Sequence, residues 1–137
     1  MEPDVASASV GRRRCSAEND ALVLDLLTQA NRPLSAYDIA DRLGGRGTHM
    51  VANQVYRTLA RLIDRHRVLR IETLNAYVLR RSGANICLIC KCCGAIAWVD
   101  LPCIDHVIGK AAQGRCFDLT DAPIEARGEC DECRSAD

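Results

Sequence analysis

The sequence predicts an α+β fold, an N-terminal winged helix-turn-helix followed by a small α/β lobe built around a four-cysteine zinc site. Three observations carry that expectation. Three amphipathic helical stretches precede a pair of β-prone segments; arginines line one face of the third helix; and eight of the nine cysteines fall in the last 51 of 137 residues. That length suits one ordinary domain or two small ones. With only 4% aromatic residues, any core rests on Leu, Ile, Val and Ala, and a half-size lobe built that way needs a staple.

Residues 1–16 read as a flexible polar arm with a basic clump, Arg12-Arg13-Arg14. Such an arm is either simply solvated or touches phosphates or a minor groove. The first helix is expected over about 17–30, with Leu22, Val23, Leu26, Leu27 and Ala30 on one stripe. Asn31-Arg32-Pro33 breaks it. Ser35 and Asp38 form a capping-box pair for the second helix, whose Ala36, Ile39, Ala40 and Leu43 recur at i, i+3, i+4 and i+7 before Gly44-Gly45 ends it. Tyr37 lies off that apolar stripe.

The third helix is expected over about 53–66. At about 100° per residue, Val55, Leu59, Leu62 and Ile63 share one arc, while Gln54, Arg57, Arg61 and Arg65 gather on the other side. Two strands, 68–73 and 76–81, follow around Leu74-Asn75. Helix, helix, loop, basic helix and hairpin is the order of a winged helix, in which the third helix enters the major groove. The charge distribution agrees: residues 1–82 carry 13 Lys+Arg against 9 Asp+Glu, and residues 83–137 carry 5 against 9. A basic first part favours an anionic partner such as double-stranded DNA.

The organisation expected is thus an arm (1–16), a winged-helix DNA-binding domain (17–82) and a zinc-stapled second lobe (83–137). In the last, strands over 86–90 and 96–101 flank a Lys91–Gly94 turn, Pro102 precedes a helix over about 103–113, and a strand over about 123–127 leads into Cys130. The N-terminus has no apolar signal core and no stretch approaches membrane-spanning length, so the cytoplasm is the expected compartment. Thiols stay reduced there, and paired cysteines more often bind metal than form disulfides.

Two Cys-x-x-Cys turns, Cys90/Cys93 and Cys130/Cys133, can close a tetrahedral thiolate shell around one zinc ion per protomer. Gly94 and Gly128 beside them are expected to relieve tight backbone. Cys87/Cys90 has the same spacing, but it lies in a strand-like run where positions three apart face opposite ways. A closed four-thiolate shell leaves no position for water or substrate, so the ion is structural. Two disulfides or a dithiol switch are the alternative. Cys92 points away from such a site, and neighbouring Lys91 could lower its thiol pKa for redox use. Cys15, Cys87, Cys103 and Cys116 read as small buried hydrophobes, and Cys103/His106 as a possible second metal pair. No Gly-rich phosphate loop, G-x-S-x-G or H-E-x-x-H is present, so no enzyme is expected.

Five stretches, collinear over about 18–134, resemble the ferric uptake regulator superfamily of bacterial metal-responsive repressors, and its zinc uptake branch most. They are Leu34-Ser35-Ala36-Tyr37-Asp38-Ile39, Val55-Tyr56-Arg57-Thr58-Leu59, Asn75-Ala76-Tyr77-Val78-Leu79, Ile89-Cys90-Lys91-Cys92-Cys93-Gly94 and Ile124-Glu125-Ala126-Arg127-Gly128-Glu129-Cys130. The resemblance implies that the α/β lobe is a zinc-stapled dimerisation domain (83–137), and that the chain is a homodimer that represses by covering pseudo-palindromic operators. It implies base contacts from Tyr37 and Arg57, with Gln54, Tyr56, Arg61 and Arg65 beside them, and zinc on Cys90, Cys93, Cys130 and Cys133. It departs from the family at the regulatory metal site, whose places are taken by Leu69, Arg80, Gly83 and Trp98. Arg127 also stands where the zinc branch tends to have His, and the usual first helix is missing or reduced to the short tail. A thiol-redox regulator of the same fold and a zinc-stapled protein-interaction module are the alternative functions.

Overall fold

The computed structural model describes residues 14–120 and 122–135. Arg12 and Arg13 lie outside them. Three helices come first: α1 (Ser16–Gln29), α2 (Ala36–Gly45) and α3 (Ala52–Asp64). Strands β1 (Val68–Ile71) and β2 (Ala76–Leu79) form an antiparallel hairpin, the wing. Then come β3 (Ile86–Cys90), β4 (Ile96–Val99), α4 (Ile104–Gln113), β5 (Ile124–Gly128) and a short α5 (Asp131–Ser135). The second sheet has the order β4-β3-β5, antiparallel between β3 and β4 and parallel between β3 and β5.

The helices start where their caps dictate. Cys15, not a Ser or Asp, precedes α1, and the Glu18 carboxylate accepts from its backbone N–H at 3.0 Å. Ser35 and Asp38 close the expected capping box, at 3.0 and 3.2 Å. α2 ends at Gly45 as expected, although neither Gly44 nor Gly45 takes the left-handed turn. Gly47 takes the left-handed turn (φ 79°), and Gly47 and Thr48 N–H groups bond back to the Gly44 and Leu43 carbonyls. α3 stops two residues before the expected end by the same device, with His66 at φ 58° and Arg67 N–H on the Leu62 carbonyl. The wing strands are shorter than predicted: Ile71 pairs with Ala76, so Glu72, Thr73, Leu74 and Asn75 make a four-residue turn, with Asn75 at φ 50°.

The first core is Val23, Leu26, Leu27, Leu34, Ile39, Leu43, Val55, Leu59, Leu62 and their neighbours, sealed by Tyr77 of the wing. Leu34 also exchanges backbone hydrogen bonds with Tyr77 at 3.1 and 2.7 Å, which ties the α1–α2 connection to the wing. The second core is much smaller. Ile71, Cys87 and Ile89 are its fully buried members, with Leu74, Val78, Ile96 and Trp98 packed around them. Ile71, Leu74 and Val78 belong to the wing, so this core straddles the 82/83 boundary read from the sequence.

A polar clamp reinforces that joint. The Glu125 carboxylate on β5 accepts from the backbone N–H groups of Glu72 and Thr73 in the wing turn, at 2.7 and 2.8 Å. Burial alone would raise its pKa, but donation from Thr73 and Glu72 outweighs that and holds it below the usual value. A group depressed in the folded state stabilises above its unfolded pKa and loses that contribution as pH falls through the folded one. Glu125→Gln is therefore expected to cost about 1.5–3 kcal/mol at neutral pH, the range for hydrogen bonds to a charged group. Urea unfolding should show that deficit shrinking in acid; a deficit independent of pH would contradict the clamp.

Candidate metal centre and nucleic-acid interface

The first knuckle is the turn between β3 and β4. Its Gly94 sits at φ 77° with its N–H on the Cys90 carbonyl, while Cys90 N–H bonds to Ala95. Gly94 therefore plays the backbone role expected of it. Gly128 does not, being the last residue of β5 with no positive φ. Its carbonyl instead accepts from Lys91 N–H at 2.8 Å, which docks the two knuckles. The second knuckle is Cys130 with Cys133 on α5, the one-turn helix that the sequence did not predict.

The thiol sulfurs of Cys90, Cys93, Cys130 and Cys133 all lie within 4.8 Å of one another. Cys90 Sγ is 3.7 Å from Cys133 Sγ, and Cys93 Sγ is 3.9 Å from Cys130 Sγ. A tetrahedron with Zn–S of about 2.3 Å has edges of about 3.8 Å. These separations match that edge and are far beyond a disulfide bond of about 2.05 Å. The residues fit zinc. The backbone N–H of Cys130 donates to Cys90 Sγ, and with Cys93 it holds the Cys90 thiol down to about 5. Cys133 is pushed the other way by its sulfur neighbours Cys130, Cys90 and Cys93, so without metal the cluster shares protons between crowded sulfurs.

Strand geometry settles the rival pairing. Cys87 is wholly buried with Ile89 in the second core, opposite Trp98 and Glu125, on the other face of β3 from Cys90. The burial expected of the remaining cysteines is wrong for three of them: Cys15, Cys103 and Cys116 are exposed. Cys92 stays outside the four-thiol group, and its Sγ lies 3.3 Å from Glu129 Oε2. That carboxylate raises the Cys92 pKa, the reverse of what Lys91 suggested for a reactive thiol. Among the described residues, the four cysteines are the one group of three or more His, Cys, Asp or Glu close enough to share a metal. Leu69, Arg80 and Gly83 instead border a cleft of about 470 Å³ with Asp100 and Asp105, and Trp98 lines the next cleft. An apolar chain, a guanidinium, a glycine and an indole do not fit a second zinc.

On α3 the arginines do not share one environment. The exposed positions are Ala52, Asn53, Tyr56, Arg57, Ala60, Asp64 and, just past the helix, Arg65. Thr58, absent from the expected apolar arc, is buried, so the buried face is turned towards Gln54 and Arg61. Those two are half-buried on the flank facing α1. Arg61 binds Asp20 Oδ1 at 2.8 and 3.3 Å, and Arg65 binds Asp20 Oδ2 at 3.0 Å. Arg57 has no hydrogen bond or ion pair with another described residue. Tyr37, the second residue of α2, is 74% exposed and Tyr56 45%. Arg14, Gln54, Arg57 and Arg61 line a cleft of about 260 Å³ between the start of α1 and α3. Asp20 is missed by the sequence reading, whereas Arg14 belongs to the basic clump singled out there. The signal for Asp20 was there: it lies three and seven residues before Val23 and Leu27, in line with the buried stripe, and Arg61 and Arg65 have the i, i+4 spacing that one carboxylate can bridge.

Among the described residues, no helix is long and apolar enough to cross a membrane. The zinc uptake regulation protein of Escherichia coli (strain K12) is 29% identical over 116 residues, covering 81% of this chain and 68% of that protein. A solved zinc uptake regulator complexed with zinc and DNA superposes with a TM-score of 0.76 at 25% identity, over 98% of this chain and 93% of that one. The Helicobacter pylori ferric uptake regulator, with three functional metal-binding sites, shares the fold at a TM-score of 0.64 and 19% identity, over 97% and 90% of the two chains. The ferric uptake regulator family model matches residues 14–127, ending just before the second knuckle. With 14–127 matched out of 137 residues, the chain belongs to the ferric uptake regulator family.

Proposed function

We propose that this chain is a homodimeric, sequence-specific DNA-binding repressor of metal-homeostasis genes, acting in the cytoplasm and holding one structural zinc per protomer. The observation that carries the reading is the combination, in one member of this family, of a winged helix whose α3 leaves Arg57 unpaired among the described residues with four thiols at zinc-ligand spacing. The domain reading follows: arm 1–16, DNA-binding domain 17–82, dimerisation domain 83–137.

In this reading α3 enters the major groove and the wing lies along the backbone. Arg57 meets a guanine edge, where a guanidinium can donate two hydrogen bonds, and Tyr37, Gln54 and Tyr56 contact the duplex around it. Zinc on Cys90, Cys93, Cys130 and Cys133 supplies a closed tetrahedral link and no open coordination position. Support for dimerisation comes from the second lobe, where Leu88, Leu101, Val107, Phe117 and Leu119 are exposed and α4 has no buried residue. A two-fold dimer presents two α3 helices to the half-sites of a pseudo-palindrome. Metal sensing is altered or absent, because the joint carries Leu69, Arg80, Gly83 and Trp98.

The test is metal analysis per protomer before and after mild chelation, with DNA titrations in zinc, iron and manganese. The expected result is one zinc that survives mild chelation, DNA affinity that ignores further metal, and a steep fall of affinity with salt. Failure to bind DNA even at low salt would leave a zinc-stapled protein-interaction module. A second, exchangeable metal that switches DNA binding would show sensing to be intact.

A further inference from the structure

Asp20 is a buried carboxylate in the first turns of α1, and both its oxygens are committed to arginines of the helix assigned to DNA recognition. Arg61 is itself part-buried and also reaches Thr58 Oγ1 at 3.3 Å, while Thr58 Oγ1 donates to the Gln54 carbonyl at 2.7 Å. Next to Asp20, Asn19 is buried too and its Oδ1 accepts from Arg14 at 3.1 Å. The α1–α3 seam is therefore polar along this edge, although both helices press apolar faces into the same core. A part-buried ion pair has directional demands that an apolar contact lacks, so it fixes how one helix is rolled against another.

We infer that Asp20 is a positioning residue for DNA recognition, holding Arg61 and Arg65 against α1 so that Arg57 is the arginine that α3 offers to a base edge. This rests on the DNA-binding reading above. It divides the four polar positions of α3 differently from their sequence pattern. Arg61 and Arg65 set the roll of the helix, and the single carboxylate of Asp20 offsets one of their two positive charges before DNA arrives, with Arg61 the more buried partner. A guanidinium engaged in that way neutralises little phosphate charge, and its removal hardly changes the number of counterions that binding releases.

The experiment uses the zinc-loaded full chain and a duplex selected from a random library by the wild-type protein, with an unselected duplex as control. Asp20→Asn should weaken binding to the selected duplex by roughly tenfold, the loss of one well-formed base contact. On the unselected duplex the same variant should bind at least as well, with a steeper salt dependence, because two arginines are freed to meet phosphates. Arg61→Ala should leave the salt slope of the wild type unchanged. The inference is overturned if that variant lowers the slope by about 0.9 per protomer, the value for one phosphate contact, or if Asp20→Asn leaves the selected-to-unselected ratio intact. Should Asp20→Asn fail to fold, the salt slope of Arg61→Ala decides the matter alone. Wild-type protein that binds neither duplex would overturn the DNA reading itself, a result distinct from wild-type binding with unaffected variants.

Discussion

Cys133→Ser is expected to strip the zinc and to unfold much of the second lobe while leaving the helical core in place. A serine hydroxyl stays protonated and is a poor zinc ligand, so the variant has three thiolates where a closed shell needs four. Structural zinc contributes about 10–16 kcal/mol in small zinc-finger peptides near neutral pH, against about 5–15 kcal/mol for the net stability of a whole domain. Here the fully buried apolar core beneath the second sheet is Ile71, Cys87 and Ile89, whereas the helical core spans three helices and part of the wing. The metal dominates the stability of the smaller part. Metal analysis of the purified variant, with amide exchange along the chain, checks the outcome. Protection should vanish from β3, β4 and β5 and survive in α1–α3. Cys92→Ser and Cys103→Ser, both at exposed thiols outside the cluster, should keep zinc and protection alike. A zinc-replete Cys133→Ser protein with an unchanged melting temperature would remove Cys133 from the ligand set.

Arg57→Ala should cost about 1–3 kcal/mol of specific DNA binding, a loss of about 5- to 150-fold, because a bidentate guanidinium–guanine contact has no substitute in a methyl group. The side chain is exposed on α3 and bonded to no other described residue, so its removal breaks no hydrogen bond or ion pair among them. Thermal stability should stay within about 0.5 kcal/mol of the wild type, as for most surface changes. That separates recognition from folding. Affinity for the selected duplex is the decisive measurement, and no change there would take the recognition role away from Arg57.

The elements were legible because local chemistry and tertiary packing agree over most of the chain. Ser35 and Asp38 cap α2 as their spacing requires, and Val55, Leu59 and Leu62 bury as their period requires. The two-fold alternation of β3 was enough to separate Cys87 from Cys90 before any coordinates. What escaped was set by partners distant in sequence. A helical period distinguishes buried from exposed faces, but it does not tell a solvated arginine from one that meets Asp20 some 41 residues earlier. Nor does a Glu in a β-strand announce that it caps a turn 52 residues away, as Glu125 does for Thr73. Gly44-Gly45 does mark the end of α2, but glycine permits a left-handed turn without compelling one, and Gly47 is the residue that takes it.

Strand β5 carries the Glu125 clamp on the wing, and two residues beyond its end lies Cys130. About five residues of extended chain, some 17 Å at strand rise, thus run from a zinc ligand to the carboxylate that grips the wing turn. Strand and sheet act as a strut between the two ends. If the ion leaves, β5 loses its anchor, and the grip on Glu72 and Thr73 loosens with it. An ion that never exchanges in a living cell would still, when torn out by a strong chelator, loosen the joint between wing and second sheet. Loss of operator binding under such treatment therefore reports mechanical failure of the strut, and only a metal that comes and goes under mild conditions would report a signal.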